Sequence, residues 1–180
     1  MLQRLPKNGL PACLLWVGAV ILLRVIPHLP NLSFVGVAAM LLVSKQSFWK
    51  SAACLLLSLA LSDVALALFS SEPLFGNWDL FTYSGILLWL VFGRYADWSG
   101  CNFSPVLLAF VASMSYWLWT NFGTWLAAGI YVHSLTGLLA CYIAALPFLQ
   151  SALLGSTCGS LALVLAAKKY RKLSAGQLIG

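Results

Sequence analysis

The amino-acid sequence predicts an all-α integral membrane protein, a bundle of six transmembrane helices with both termini in the cytoplasm. The first observation is composition: of 180 residues, 62% are hydrophobic and 8% are charged, and the mean hydropathy is +0.94. A soluble domain carries about 25% charged residues, so a water-soluble globule is excluded. The second is length: at about 20 apolar residues per span, the chain provides about six crossings and no extramembrane catalytic or nucleotide-binding domain.

The predicted spans follow one another with short connections. The first five apolar segments cover residues 10–27, 34–43, 48–69, 80–92 and 105–120. A last apolar stretch, residues 134–167, is too long for one perpendicular span, and Pro147 divides it because proline interrupts helical hydrogen bonding. We therefore expect a short broken or re-entrant helical segment at residues 134–146, followed by the sixth span at residues 148–167.

The third observation, the placement of basic residues, distinguishes six spans from seven. Cytoplasmic loops of membrane proteins collect Lys and Arg. With six spans and an internal N-terminus, nine of the ten basic residues are cytoplasmic: Arg4, Lys7, Lys45, Lys50, Arg94, Lys168, Lys169, Arg171 and Lys172. Seven spans would place the last four outside. The net charge of +6 therefore indicates topology rather than a nucleic-acid partner. We expect one transmembrane domain, residues 1–172, and a flexible cytoplasmic tail, residues 173–180.

Two charged side chains lie within predicted spans. Arg24 is 14 residues past the start of the first span and Asp63 is 15 residues past the start of the third, so both lie roughly 21–22 Å from the cytoplasmic side. A buried charge needs a partner, water or ligand. The pair is either a salt bridge that fixes helix packing or part of a binding site. Ala53, Ala60 and Ala67 share a face with Asp63, which predicts that this face is interior.

Polar and aromatic side chains gather towards the predicted outer side. His28 and Asn31 stand in a proline-rich turn, either at the mouth of a cavity or as a solvated interfacial turn. Further along the chain, the same side carries Trp78, Tyr83, Tyr116, Trp117, Trp119, Asn121, Phe122 and Trp125. An aromatic belt at the headgroups explains such a cluster. Its density also fits a pocket for a planar ring.

Enzymatic signatures are missing from the sequence. It contains no phosphate-binding glycine loop, no HExxH, no GxSxG and no nucleophile–base–orienter set, so we predict that the protein is not an enzyme. The five cysteines occur singly without a CxxC pair, which favours reduced, packed thiols over a metal site. Neither a metal nor a cofactor is expected.

Four segments carry a resemblance to known proteins. They are RVIPHLPNLSFVGVAAML, LSLALSDVALALF, NFGTWL and GLLACYIAALPFLQSALLGS, which lie within residues 24–156. These segments resemble a family of small bacterial six-helix membrane proteins of unknown function. That family in turn is similar to the S components of energy-coupling-factor (ECF) transporters. The resemblance implies a multi-pass protein of the bacterial inner membrane that captures a vitamin or cofactor precursor and works with a coupling subunit and ATPases.

The sequence also differs from known S components at two places. A solitary cobalamin-binding branch carries residues that correspond to His28, Asp63 and Tyr83. Its cobalt-ligating cysteine is absent here, because Gly76-Asn77-Trp78 stands in the equivalent loop. The first helix also lacks the Ala-x-x-x-Ala used for coupling, because Trp16 stands four residues after Ala12. The protein is therefore expected either to dock on such a module or to act alone.

The resulting hypothesis is an S-component-like uptake protein with an outward-facing pocket for a vitamin-like small molecule. Arg24 and Asp63 would orient or neutralise a polar group of the ligand. His28, Asn31 and Asn121 would exchange hydrogen bonds with it, and Trp78, Tyr83 and Trp119 would stack on its ring. The alternatives are a cobalamin-related solitary transporter and a non-transporting membrane scaffold or assembly protein, for which we expect a closed bundle with Arg24 and Asp63 paired.

Overall fold

The computed structural model describes residues 16–22, 24, 34–69, 76–99 and 102–176. Over these ranges the chain forms seven helices and no strand. The first, α1, is described at residues 16–22 and 24. The others are α2 Val35–Val43, α3 Phe48–Phe69, α4 Asp79–Arg94, α5 Ser104–Ala127, α6 Leu135–Ala144 and α7 Leu146–Gly176. The all-helical class predicted from composition is therefore confirmed.

Three of these helices are long and apolar enough to cross a membrane: Phe48–Leu68, Ser104–Ala127 and Leu146–Leu173. On α3, Leu57, Leu61, Val64 and Leu68 are exposed at spacings of four, three and four residues, so they form one continuous apolar face. An apolar face of this size needs lipid or another protein as its neighbour. Both observations indicate that the protein associates with a membrane.

Helix α5 continues seven residues beyond its predicted end at Thr120. Its polar side chains do not stop it, because they bond to their own helix. The Asn121 amide donates to the Trp117 carbonyl oxygen at 2.8 Å, and the Thr124 hydroxyl donates to the Thr120 carbonyl oxygen at 3.1 Å. Such local bonds allow polar residues within an apolar helix.

The predicted division of the last apolar stretch at Pro147 is confirmed. The Ser134 hydroxyl caps α6 by accepting a hydrogen bond from the Gly137 backbone N–H at 3.1 Å. Its ten residues span about 15 Å, half the hydrocarbon thickness. Helix α7 begins at Leu146 with Pro147 in its first turn, where the missing N–H is not needed. It ends at Gly176, so the first residues of the predicted tail are helical.

The hydrophobic core lies among α2, α3, α4 and α5. Met40, Val43, Leu55 and Leu90 are fully buried there. Close approach of α2 and α4 depends on Gly93, because a Cβ at that position would lie 2.4 Å from the Met40 Cα. Helix α5 contacts α2, α4, α6 and α7, which places it at the centre of the bundle.

The prediction that the alanine face of α3 is interior is wrong, because the buried face is rotated from it by part of a helical turn. Ala53 is exposed, whereas Ser51, Ser58 and Ser62 are fully buried and line the packed face. Each serine hydroxyl donates to a backbone carbonyl oxygen three or four residues earlier in the chain, so these side chains pack as small residues without an unsatisfied polar group. Asp63 adjoins this face and is 17% exposed.

The cysteines depart in part from the expectation of reduced thiols. Cys141 is a buried free thiol and Cys158 is an exposed one, whereas Cys54 is disulfide-bonded. The spacing of cysteines along the chain does not predict such a bond, because disulfide formation depends on the separation of the Cα atoms in the folded protein.

The turn between α4 and α5 is organised by Asp97. Its carboxylate accepts hydrogen bonds from the Ser99 backbone N–H and the Asn102 amide, each at 2.9 Å. These bonds, with that of Ser99 as the larger influence, lower the pKa of the Asp97 carboxyl below its ordinary value.

Candidate functional site

A cavity of about 620 Å³ lies within the bundle. Its walls come from α1 to α7, and several of its residues belong to α5. Small-molecule sites usually enclose about 300–1,000 Å³ and combine apolar walls with a few polar groups. The lining has that character: it includes the aromatic residues Trp89, Tyr116, Trp117, Tyr131 and Phe148 and the polar residues Thr82, Ser113, Thr120, Asn121 and Thr124.

A polar stripe on α5 forms one wall of the cavity. Its members follow one another at steps of three, four, one and three residues, and all of them line the cavity: Ser113, Tyr116, Thr120, Asn121 and Thr124. The side-chain amide nitrogen of Asn121 is bonded to its own helix, while the side-chain oxygen Oδ1 has no partner among the described residues. The Tyr116 and Thr82 hydroxyls also make no hydrogen bond to any residue that the structure describes. These groups are available to a ligand.

Beside this cavity, Arg24 and Asp63 form a direct ion pair. The guanidinium Nη2 lies 2.7 Å from Asp63 Oδ1, and Nη1 donates to Ser62 Oγ at 2.5 Å and to the Leu59 carbonyl oxygen at 3.2 Å. The other Asp63 oxygen accepts a hydrogen bond from the Tyr83 hydroxyl. One polar cluster thus joins α1, α3 and α4. Arg24 lines the cavity, whereas Asp63 and Tyr83 lie behind it.

The two predicted tryptophans of the site lie away from the cavity. Trp119 donates from its indole nitrogen to Ser84 Oγ at 2.8 Å, and its ring centroid lies 5.3 Å from that of Phe81. Trp78 precedes α4 and is 42% exposed. Neither tryptophan lines the cavity. The structure therefore places Arg24 and Asn121 at the cavity and sets Asp63, Trp78, Tyr83 and Trp119 outside its lining. His28 and Asn31 lie outside the described residues.

Helix α6 closes one side of the cavity and is held on α5 by three hydrogen bonds. The Trp117 indole donates to the Ala145 carbonyl oxygen at 3.0 Å, and the Tyr142 hydroxyl donates to the Leu118 carbonyl oxygen at 2.9 Å. The Cys141 thiol donates to the backbone carbonyl oxygen of Asn121 at 3.4 Å. Because Cys141 and Ala145 also line the cavity, these bonds position its α6 wall.

Sequence reasoning missed several lining residues, chiefly Thr82, Thr120, Thr124, Tyr131 and Cys141. A signal for two of them was present. Hydroxyl and amide groups recur on one face of α5 from Ser113 to Thr124, which is typical of a helix that lines a polar space in a membrane. Cys141 and Tyr131 had no such signal, because α6 and the preceding loop reach the cavity only through tertiary packing.

Metal chemistry has no support in the described part of the chain, where no group of three or more His, Cys, Asp or Glu side chains could hold an ion. The arrangement can instead bind a small molecule through hydrogen bonds and aromatic contacts. Fold and cavity together define a helical membrane protein whose bundle holds a cavity with mainly apolar walls and a few polar groups.

This chain belongs to the DUF6580 family, a family of unknown function whose model matches residues 6–175. The expected membership of a family of unknown function is thus confirmed. Comparison with curated proteins and with solved structures finds no match.

Proposed function

We propose that the protein is an S-component-like substrate-binding membrane protein of the bacterial inner membrane, which takes up a vitamin-like small molecule or cofactor precursor. The observation that carries the proposal is the cavity of about 620 Å³, in whose walls several polar groups have no partner among the described residues. A protein with a purely structural role gains nothing from such a space, because empty volume in a core forfeits packing contacts. The proposal includes no enzymatic step.

The membrane arrangement proposed with this function has six spans and cytoplasmic termini. Helix α6 is the short segment proposed not to cross, because a crossing there would place the basic residues Lys168, Lys169, Arg171 and Lys172 on the outer side. Substrate would enter from the outer side and lie between α4, α5 and α6. An ECF-type coupling subunit with its ATPases is the proposed partner if the protein does not act alone.

A scaffold function is the second candidate, and one observation favours it. Arg24 and Asp63 are bonded directly to each other, as expected for a pair that fixes helix packing. The cavity beside the pair argues for ligand binding instead. Cobalamin is disfavoured, because Tyr83 and Asp63 are bonded to each other and do not line the cavity.

Native mass spectrometry of the purified protein tests ligand binding. We expect the protein to retain one member of a panel of B-group vitamins and their precursors. The variant Asn121→Leu should lose that ligand, because leucine of similar size removes the free carbonyl oxygen from the cavity wall. The change removes a hydrogen bond worth about 1–3 kcal/mol, or roughly 5- to 150-fold in affinity.

Asn102→Leu is the matched control, because Asn102 lies in the α4–α5 turn, where it is exposed and bonded to Asp97. It should retain the ligand. Equal retention by both variants, or no retention of any panel member by the unmodified protein, would contradict the proposal.

A further inference from the structure

We propose that Asp63 makes the cavity selective for uncharged ligands by neutralising Arg24. This inference rests on the proposed binding function and adds to it the chemical class of the ligand. The assignment changes the role of Asp63 from a ligand contact to a specificity-determining residue that acts through Arg24.

The charges around the cavity carry the first step. Among the described residues that line it, Arg24 alone bears a charge, and the rest are hydroxyl, amide, thiol, aromatic or aliphatic side chains. The Asp63 carboxylate lies 2.7 Å from the Arg24 guanidinium and outside the lining. The pair therefore presents the cavity with no net charge, although the cation is nearer to it.

The hydrogen bonds of the pair carry the second step. Tyr83 donates to one Asp63 oxygen while the Arg24 guanidinium contacts the other, so both carboxylate oxygens are engaged and the group is held beside Arg24. The Ser62 hydroxyl and the Leu59 carbonyl oxygen, on the same helix as Asp63, accept hydrogen bonds from the other terminal nitrogen of the guanidinium. Two of the five N–H donors of Arg24 have no partner among the described residues, so they remain available to a neutral acceptor on a ligand.

The low dielectric of the bundle carries the third step. An ionised ligand must leave water to enter, and only an opposite, unpaired charge would compensate it. Arg24 cannot serve as that charge while Asp63 neutralises it. A neutral ligand avoids this cost, and its polar groups can pair with the side-chain oxygen of Asn121 and the Tyr116 hydroxyl. The aromatic walls Trp89 and Trp117 favour a planar one.

Cys141 provides a reporter for this selectivity that needs no knowledge of the ligand, because its free thiol is buried and lines the cavity. The probes are three methanethiosulfonates that differ in charge: methyl, 2-sulfonatoethyl and 2-(trimethylammonium)ethyl. Each forms a mixed disulfide with the thiol and releases methanesulfinate. Peptide mass spectrometry gives the modification rate at Cys141, and Cys141→Ser provides the background. Ratios between reagents cancel differences in the reactivity of the thiol.

In the unmodified protein, we expect the methyl reagent to react faster than either charged reagent. Asp63→Asn leaves Arg24 as an unpaired cation, so the sulfonate-to-methyl ratio should rise at least about tenfold, the effect of one charge-assisted hydrogen bond. Arg24→Gln should change the rates in the opposite direction, because it leaves Asp63 as an unpaired anion. The sulfonate-to-methyl ratio should fall and the ammonium-to-methyl ratio should rise. The double variant Arg24→Gln/Asp63→Asn is neutral again, and its ratios should return towards those of the unmodified protein.

The outcomes separate this inference from the proposed function. If the reagents reach Cys141 but the ratios do not change in Asp63→Asn and Arg24→Gln, the charge assignment is wrong while the cavity remains. If no reagent reaches Cys141 in any form, the cavity is closed and both proposals fail. Should Asp63→Asn not purify as a monodisperse protein, the opposite shift expected for Arg24→Gln still tests the inference.

Discussion

At the scale of single residues, the ion pair of Arg24 and Asp63 is the feature that connects sequence and structure most directly. Counting residues at 1.5 Å each places the two at the same depth, and the structure brings them into contact at 2.7 Å. Their side chains are 26% and 17% exposed, so each charge is partly removed from solvent. Such a pair contributes to stability mainly because each charge spares the other the cost of being buried without a partner.

A double-mutant cycle on this pair tests that view. Asp63→Ala leaves Arg24 beside an apolar bundle without its counterion. We expect the free energy of unfolding to fall by about 2 kcal/mol, the low end for truncating one partner of a hydrogen-bonded charge pair. The low end applies because both residues are partly exposed. The double variant Arg24→Ala/Asp63→Ala should recover part of the loss. Unfolding in detergent micelles, followed by circular dichroism, measures both. Additive losses would show that the two charges do not stabilise each other.

At the scale of helices, packing depends on close contacts that hydropathy does not reveal. Gly36 of α2 faces the Trp89 ring, Gly93 of α4 faces Met40, and Gly123 of α5 faces the Phe81 ring. Close backbone approach is a general route to helix association in membranes, where burial of apolar surface gives no driving force. The serines of α3 extend the same principle, because their hydroxyls are satisfied within the helix.

Gly93→Ala tests this packing. A Cβ at Gly93 would lie 2.4 Å from the Met40 Cα, which is backbone and cannot rotate away, so α2 and α4 must separate. We expect the free energy of unfolding to fall by about 1–3 kcal/mol, which is typical of overpacking. Gly18→Ala is the matched control, because a Cβ there has no neighbour within 4 Å among the described residues and alanine favours the helix. Thermal unfolding should place Gly93→Ala below the unmodified protein and Gly18→Ala at or above it. Equal midpoints for the two variants would refute the argument.

At the scale of the whole molecule, helix length and the placement of basic residues bear on the number of membrane crossings. Three helices of the described chain are long enough by length and composition, and α6 is a separate short helix. The basic residues Lys168, Lys169, Arg171 and Lys172 follow the last apolar segment, which favours a cytoplasmic C-terminus. Six spans satisfy this placement if α6 stays on the outer side.

Alkaline phosphatase fusions in a bacterial host test this topology, because the enzyme is active only outside the cytoplasm. We expect activity for a fusion after Val132, which precedes α6, and after Ala145, which follows it. A fusion after Gly180 should be inactive. An inactive fusion after Ala145 together with an active one after Gly180 would establish seven spans instead. A fluorescent protein at the same positions should give the reciprocal pattern and controls for expression.

Local properties of the chain account for much of this architecture. Hydropathy places α3 at its observed bounds, Pro147 marks the division between α6 and α7, and rise per residue brings Arg24 and Asp63 to one level. Each of these depends on neighbouring residues along the chain, so it can be read without coordinates. The set of side chains that face the cavity cannot be read from the sequence, because it depends on the rotation of each helix against its neighbours. Packing turned the serine face of α3 inwards rather than the alanine face, left Asp63 behind Arg24, and brought Cys141 to the cavity wall.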